Sequence, residues 1–335
     1  MAFLTKSFGW RLPVLLCLAV VAGCGRKSSP PPAPAAVPAR LVALSPSCVE
    51  LLCALGQGNR LVGIDSYTKY PPEICDRPRL GALLDANYEA IVGLKPDLVA
   101  LPASHDAGRR KLSSLGVACL PVVHDSVAGV IASARTAGQA CGVPERGESL
   151  ARELETAWKT AQTRPAATPR PRVLLCLSRD YAAAELREMY AAGGDGFYHV
   201  LLEAAGASNV CATGPIKFPK LSRENLLALD PDIIIEVVTG TDKPAAEIAK
   251  TWSTLADLKA VKNGRIHVLT ADYTTIPGPR FPLLLADFER IVRPVIVNAG
   301  VGIQNSESRI QKPEAERSPI PNPQSPITEA VHGVH

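Results

Sequence analysis

The sequence predicts an α/β protein of two similar lobes, each built on a central parallel sheet, joined by one long α-helix with a cleft between them. Three observations carry this expectation. An eleven-residue pattern occurs twice: Glu89-Ala-Ile-Val-Gly-Leu-Lys-Pro-Asp-Leu-Val99 aligns without a gap with Glu224-Asn-Leu-Leu-Ala-Leu-Asp-Pro-Asp-Ile-Ile234, 135 residues further on. Apolar β-branched runs alternate with helical patterns on both sides of the chain's middle, the signature of a parallel sheet with crossover helices. Between the two series, Pro144 to Arg164 reads as one uninterrupted helix, with Leu150, Leu154, Ala157 and Trp158 at helical spacing.

The elements follow in order. Residues 1–23 read as a signal: Lys6 and Arg11 make a basic start, and the uncharged stretch Leu12 to Gly23 is too short to span a bilayer. Val21-Ala-Gly-Cys24 resembles a bacterial lipoprotein box, in which cleavage before the cysteine is coupled to its lipidation. Residues 24–39 are rich in proline and serine and read as a semi-rigid tether. The first lobe, 40–143, opens with the strand Arg40 to Leu44. Ser45-Pro-Ser-Cys-Val-Glu50 then starts a helix that stops at Gly56. Leu61 to Ile64 is a second strand. The first repeat copy supplies a cap candidate, Asn87, an acid in the first helical turn, Glu89, and a buried strand at 98–101. A helix near 108–115 and a strand from Val117 to Val123 follow. After the linking helix, 144–164, the second lobe, 170–294, opens with the strand Arg172 to Leu177. It continues through a helix at 196–205, the second repeat copy with cap candidate Ser222 and acid Glu224, and the strand Arg265 to Leu269. It closes with a helix from Pro282 to Ile291. Pro96 and Pro231 end the repeat helices, because a residue before proline is pushed out of the α region. Residues 295–335 have scattered charge, several prolines and no sustained periodicity, and read as disordered.

Composition excludes some functions. The formal charge is +4, and loss of Lys6 and Arg11 with the signal leaves it near +2, too weak to suggest a nucleic-acid partner. Removing Cys17 and lipidating Cys24 leaves seven cysteines, an odd number with no CxxC, so no disulfide is assigned. Catalysis has little support: there is no GxSxG elbow, no phosphate-cradling glycine loop and no Cys/His pairing of recognisable spacing. His105, His124, His199 and His267 lie far apart in sequence and form neither HxH nor HExxH, which argues against a bare-metal site. Ala192-Gly-Gly-Asp-Gly196 reads as the turn before the next helix.

Several marks in order resemble one family: Arg40-Leu-Val-Ala-Leu-Ser-Pro-Ser-Cys-Val-Glu50, Tyr70-Pro-Pro-Glu73, Gly81, the segment from Asn87 to Asp97, Pro219-Lys-Leu-Ser-Arg-Glu224, and Pro279-Arg280. Residues 40–294 are similar to the iron-chelate/cobalamin class of periplasmic substrate-binding proteins of ABC importers. The resemblance implies two lobes joined by one helix and a ligand held in the cleft. It implies a ferric chelate or a corrinoid as ligand, with no resident cofactor and no enzymatic activity. The implied partners are a permease dimer with its ATPase, and a membrane reached through the lipid anchor at Cys24, with the folded body outside the cytoplasmic membrane. Carried over residue by residue, the permease-docking acids fall on Glu89 and Glu224, which the repeat also singles out. The cleft-closing aromatic positions fall on Leu83, Phe218 and Tyr273, and the first departs from the aromatic pattern.

Each of these residues has a plainer reading. Glu89 and Glu224 could only compensate helix dipoles. Ser45 could be a helix cap, although its place after the first strand is also where α/β proteins bind ligands. Tyr67 and Phe218 are the aromatics expected at the ligand, with Tyr70 a structural turn residue beside Pro71 and Pro72. Asp272 belongs to the same cleft-side loop as Tyr273. The alternatives kept open are an enzyme on the same scaffold using Asp272 and His199, a protein binding a bare metal ion, and an envelope adhesin or structural lipoprotein.

Overall fold

Short apolar runs build the first sheet. Leu41–Ala43 (β1), Leu61–Ile64 (β2), Leu98–Pro102 (β3) and Cys119–Val122 (β4) pair in the order β2-β1-β3-β4, all parallel. β1 and β3 lie centrally and are buried along their whole length, as continuous apolar strands covered on both faces should be. Helices α1 (Pro46–Ala54), α2 (Tyr88–Gly93), α3 (Asp106–Ser114) and α4 (Val127–Ala140) accompany this sheet. The computed structural model describes residues 37–293, apart from 167, 184, 185, 215 and 239. The expected signal at 1–23, Cys24, most of the expected tether and the stretch 295–335 lie outside the described residues.

Helix α5 spans Pro144–Thr163, with Pro144 in its first turn where no backbone donor is lost. Beyond it, Arg172–Arg179 (β5), Glu188–Ala191 (β6), Ser208–Asn209 (β7), Lys220–Ser222 (β8), Ile233–Val237 (β9) and Ile266–Leu269 (β10) form the second sheet, with α6 (Phe197–Ala204), α7 (Arg223–Leu229), α8 (Ala245–Thr251), α9 (Lys259–Lys262) and α10 (Phe281–Val292). Its order is β10-β9-β5-β6-β8, with β7 beside the start of β5. β10, β9, β5 and β7 pair in parallel, and β6 runs antiparallel to both of its neighbours, β5 and β8, so this sheet is mixed where the sequence predicts a parallel one. The reason is connection length: the segment between Arg179 and Glu188 is too short for a parallel crossover, which needs about a dozen residues.

The repeat folds into the same unit twice. Asn87 Oδ1 accepts from Ala90 N, and Ser222 Oγ accepts from Asn225 N within a reciprocal capping box. Both helices end before the proline, but on a left-handed residue rather than an extended one: Lys95 (φ 48°) and Asp230 (φ 38°) occupy equivalent places. An arginine meets each end. Arg40 donates to the carbonyls of Leu94 and Lys95, and Arg172 donates to those of Leu229 and Asp230. The aspartate after each proline then accepts from the arginine's backbone: Asp97 Oδ2 from Arg40 N at 2.8 Å, Asp232 Oδ2 from Arg172 N at 2.9 Å. Each short helix is thereby pinned to the first strand of its own lobe.

Helix α4 was not visible in the sequence pattern. Its Ala-, Gly- and Ser-rich segment has little amphipathic contrast, because α4 is covered on several sides. It crosses α5 where Gly138 meets Gly147, and a Cβ at Gly138 would lie 2.6 Å from Gly147 Cα. The main core runs without a break from Leu51 and Val130 through Leu154 of α5 to Val173, Leu201 and Phe281.

Candidate functional site

Loops at the sheet ends of both lobes enclose a cavity of about 310 Å³. Ser104 follows β3, while His124 and Asp125 follow β4. Opposite them lie the segment from Ala192 to His199 after β6, and Lys217 and Phe218 before β8. Lys217 Nζ stands 3.6 Å from Asp125 Oδ2 and ties the two walls together.

The glycines of the 192–196 segment set the second wall. A Cβ on Gly193 or Gly194 would lie 1.9 Å from the carbonyl oxygen of Ile216 or Ala212 respectively, so only glycine allows this approach. Gly193 N donates to Lys217 O at 2.8 Å, and Asn209 Nδ2 donates to the carbonyls of Ala192 and Gly193. The turn expected before α6 is therefore also the support that holds the loop carrying Phe218.

A second cluster joins the lobes beside this cavity. Arg280, at the start of α10, donates through Nε to Glu50 Oε2 at 3.0 Å and also bonds Glu50 Oε1. The same guanidinium donates to Asp272 Oδ1 and Oδ2 at 3.1 and 3.0 Å, and lies 3.9 Å from the Tyr70 ring centroid. Glu50 is 3% exposed, and burial pushes its carboxyl above the usual range against the pull of Arg280. The guanidinium, shared between two carboxylates, is held firmly charged. Tyr273 donates its hydroxyl to Asp287 Oδ2 at 2.7 Å; burial and that bond push its pKa up to about 12.

The predicted ligand residues divide among these places. Phe218, 54% exposed, lines the cavity. Asp272 and Tyr273 come together around Arg280, with both Asp272 oxygens engaged. Ser45 caps α1, its Oγ accepting from Cys48 N at 3.3 Å. Tyr67 is 68% exposed and Leu83 half-buried, and neither lines the cavity. Glu89 and Glu224 are exposed on the first turns of α2 and α7. Ser222 Oγ holds Glu224 at 2.6 Å and keeps its carboxyl below the usual value.

Sequence reasoning missed His124, Asp125, Lys217, Glu50 and Arg280 as cleft residues. His124 and His199, far apart in sequence, share the cavity wall. Their only sequence signal was histidine itself. Pro279-Arg280 and Glu50 stood among the family marks without a role. Burial holds His124 below its ordinary pKa, which disfavours the charged ring, and its enclosed Nδ1 has no hydrogen-bond partner among the described residues. Among the described residues, no three His, Cys, Asp or Glu side chains gather as a bare cation requires.

The sequence pattern of the periplasmic binding protein family matches residues 41–273, and the chain belongs to that family. It is 29% identical over 254 residues to the ABC transporter substrate-binding lipoprotein YvrC of Bacillus subtilis, covering 72% of this chain and 76% of that protein. It is 28% identical over 246 residues to the vitamin B12-binding protein of Salmonella choleraesuis, covering 73% and 86%. Among solved structures, the periplasmic haem-binding protein RhuT of Roseiflexus superposes with a TM-score of 0.63 at 28% identity, over 76% of this chain and 99% of that one. The vitamin B12-binding protein of Vibrio cholerae superposes at 0.66 with 23% identity, over 76% and 97%, and shares the two-lobed fold.

Proposed function

We propose that this protein captures a metal chelate (a corrinoid, haem or ferric siderophore) in its interlobe cavity and delivers it to the permease of an ABC importer from a lipid anchor at Cys24. The observation that carries the reading is a cavity walled by both lobes, with Phe218, Phe197, Tyr198 and Lys217 on one side and polar His124 and Asp125 across it. An apolar, aromatic surface with a few placed polar groups suits a large planar ligand. The similarity to vitamin B12-binding and haem-binding proteins supports the ligand class, and YvrC's designation as a lipoprotein supports the anchor. Delivery rests on Glu89 and Glu224, one per lobe, each exposed on its helix where it can meet cations of the permease. Charge pairing there fixes orientation more than affinity.

The enzyme reading loses its main acid, because Arg280 occupies both oxygens of Asp272. Fluorescence-quenching titrations with cobalamin, haem and several ferric siderophores test the reading directly. Saturable quenching by one class, with the ligand recovered unchanged, is the expected result. Silence across the panel overturns it, and chemical conversion of a bound ligand restores the enzyme. For docking, Glu89→Arg with Glu224→Arg should abolish uptake into vesicles holding the permease and leave ligand affinity intact. Normal transport by that variant would exclude these acids from docking.

A further inference from the structure

The two repeat helices share more than an acid. Counting from Glu89 and from Glu224, the residue two places on is buried in both copies, Ile91 and Leu226. The residue three places on is an exposed apolar side chain in both: Val92 is 37% exposed and Leu227 is 40% exposed. The residue four places on is small and exposed in both, Gly93 and Ala228. Positions i, i+3 and i+4 share one side of a helix, so acid, apolar group and small residue form one outward face on each lobe. A Cβ at Gly93 would have nothing within 4 Å, so nothing in the fold itself demands a small residue there.

We propose that each lobe docks through this three-residue face, Glu89–Val92–Gly93 and Glu224–Leu227–Ala228, and that the partner is a two-fold symmetric permease presenting twice a cation beside an apolar socket. The proposal rests on the docking reading above and adds the anchor to it. The same face built twice, on helices pinned to their lobes in the same manner, fits a partner whose two halves are alike. The acid calls for a cation, which a rim ion pair uses for orientation with little net gain. Burying Val92 and Leu227 supplies affinity that salt does not screen, and the small residue lets the partner's surface approach the helix backbone.

The test measures binding of the unloaded protein to its permease in lipid nanodiscs, at low salt and at roughly 0.5 M salt, where the screening length is only a few ångströms. Val92→Ser with Leu227→Ser should weaken binding about tenfold or more at both salts. Gly93→Phe with Ala228→Phe should weaken it similarly, and Val92→Leu with Leu227→Val should bind normally. Thermal unfolding should be nearly unchanged throughout, since all four residues are exposed. The proposal is overturned if the double serine and double phenylalanine variants both bind within twofold of wild type. If Glu89→Arg with Glu224→Arg still disrupts binding in that case, the docking reading survives without the anchor. If that reversal also binds normally, both fall.

Discussion

Arg280 pairs with Glu50 across 230 residues of sequence, and its contacts show what a buried ion pair can be expected to do here. Removing it leaves Glu50 enclosed without a countercharge, and an uncompensated buried charge is strongly destabilising. Arg280→Met should therefore cost about 3 kcal/mol in urea unfolding at neutral pH. Adding Glu50→Gln to that variant should recover part of the loss; equal stability of the single and double variants would show that Glu50 is not the reason. Two histidines set a separate pH dependence. Burial is the first cause that lowers both His124 and His267. Asp125 partly opposes it at the former, and Arg265 and Arg290 add to it at the latter. With both folded-state pKa values below the unfolded value near 6.5, the unfolded chain takes up protons first as pH falls. The stability they allow is complete above about pH 6.5 and is lost as pH drops through the folded values. His124→Gln with His267→Gln should flatten that decline in urea midpoints measured from pH 7 downward, and an unchanged slope would assign it elsewhere. None of this was legible in sequence, because burial and cross-lobe pairing depend on neighbours brought together by the fold.

At the scale of elements, the sequence was most legible where one pattern repeated. The caps, the acids, the stop before proline and the buried strands all follow from residues next to one another in the chain. The two arginine forks do not, since Arg40 and Arg172 reach their helices from more than fifty residues away. β6 and β8 were missed because alternating short strands such as Glu188–Ala191 carry little apolar signal, and α4 because small residues hide its periodicity. The repeat also yields a paired test. Lys95 and Asp230 hold the same left-handed conformation, which costs an ordinary side chain and suits glycine. The Lys95 side chain makes no hydrogen bond or ion pair among the described residues, and its carbonyl contact with Arg40 would survive in glycine, so Lys95→Gly should stabilise by about 0.5 kcal/mol. Asp230 accepts from Lys259 N at 2.9 Å and pairs with Lys259 Nζ at 3.1 Å, so Asp230→Gly should lose about 1 kcal/mol despite the same backbone relief. Opposite signs in thermal unfolding are the expected outcome; equal effects would mean that the backbone alone decides both sites.

At the scale of the whole molecule, the continuous core limits how far the lobes can move. Sheet residues of the first lobe, the inner side of α5 and the α6–α10 pair of the second share one apolar cluster. Phe281 and Phe288 of α10 are buried within it, Phe281 packs edge-on against Phe197 of α6, and Arg280 clamps the same helix to Glu50 of α1. Opening the cleft widely would expose that surface, which packed interiors resist at about 25 cal/mol for each Å² of apolar area. Ligand capture should then proceed by a small hinge motion around α5 and not by the wide closure of proteins joined through flexible strands. Small-angle scattering should show a radius of gyration that changes by less than about 1 Å when a chelate saturates the cleft. In Arg280→Met, with the clamp gone, the unliganded protein should be measurably more open than wild type and should contract more on binding. A change of several ångströms in wild type would mean that the core parts between the lobes, and that docking acids fixed on separate lobes would sit at different spacings in the empty and loaded states.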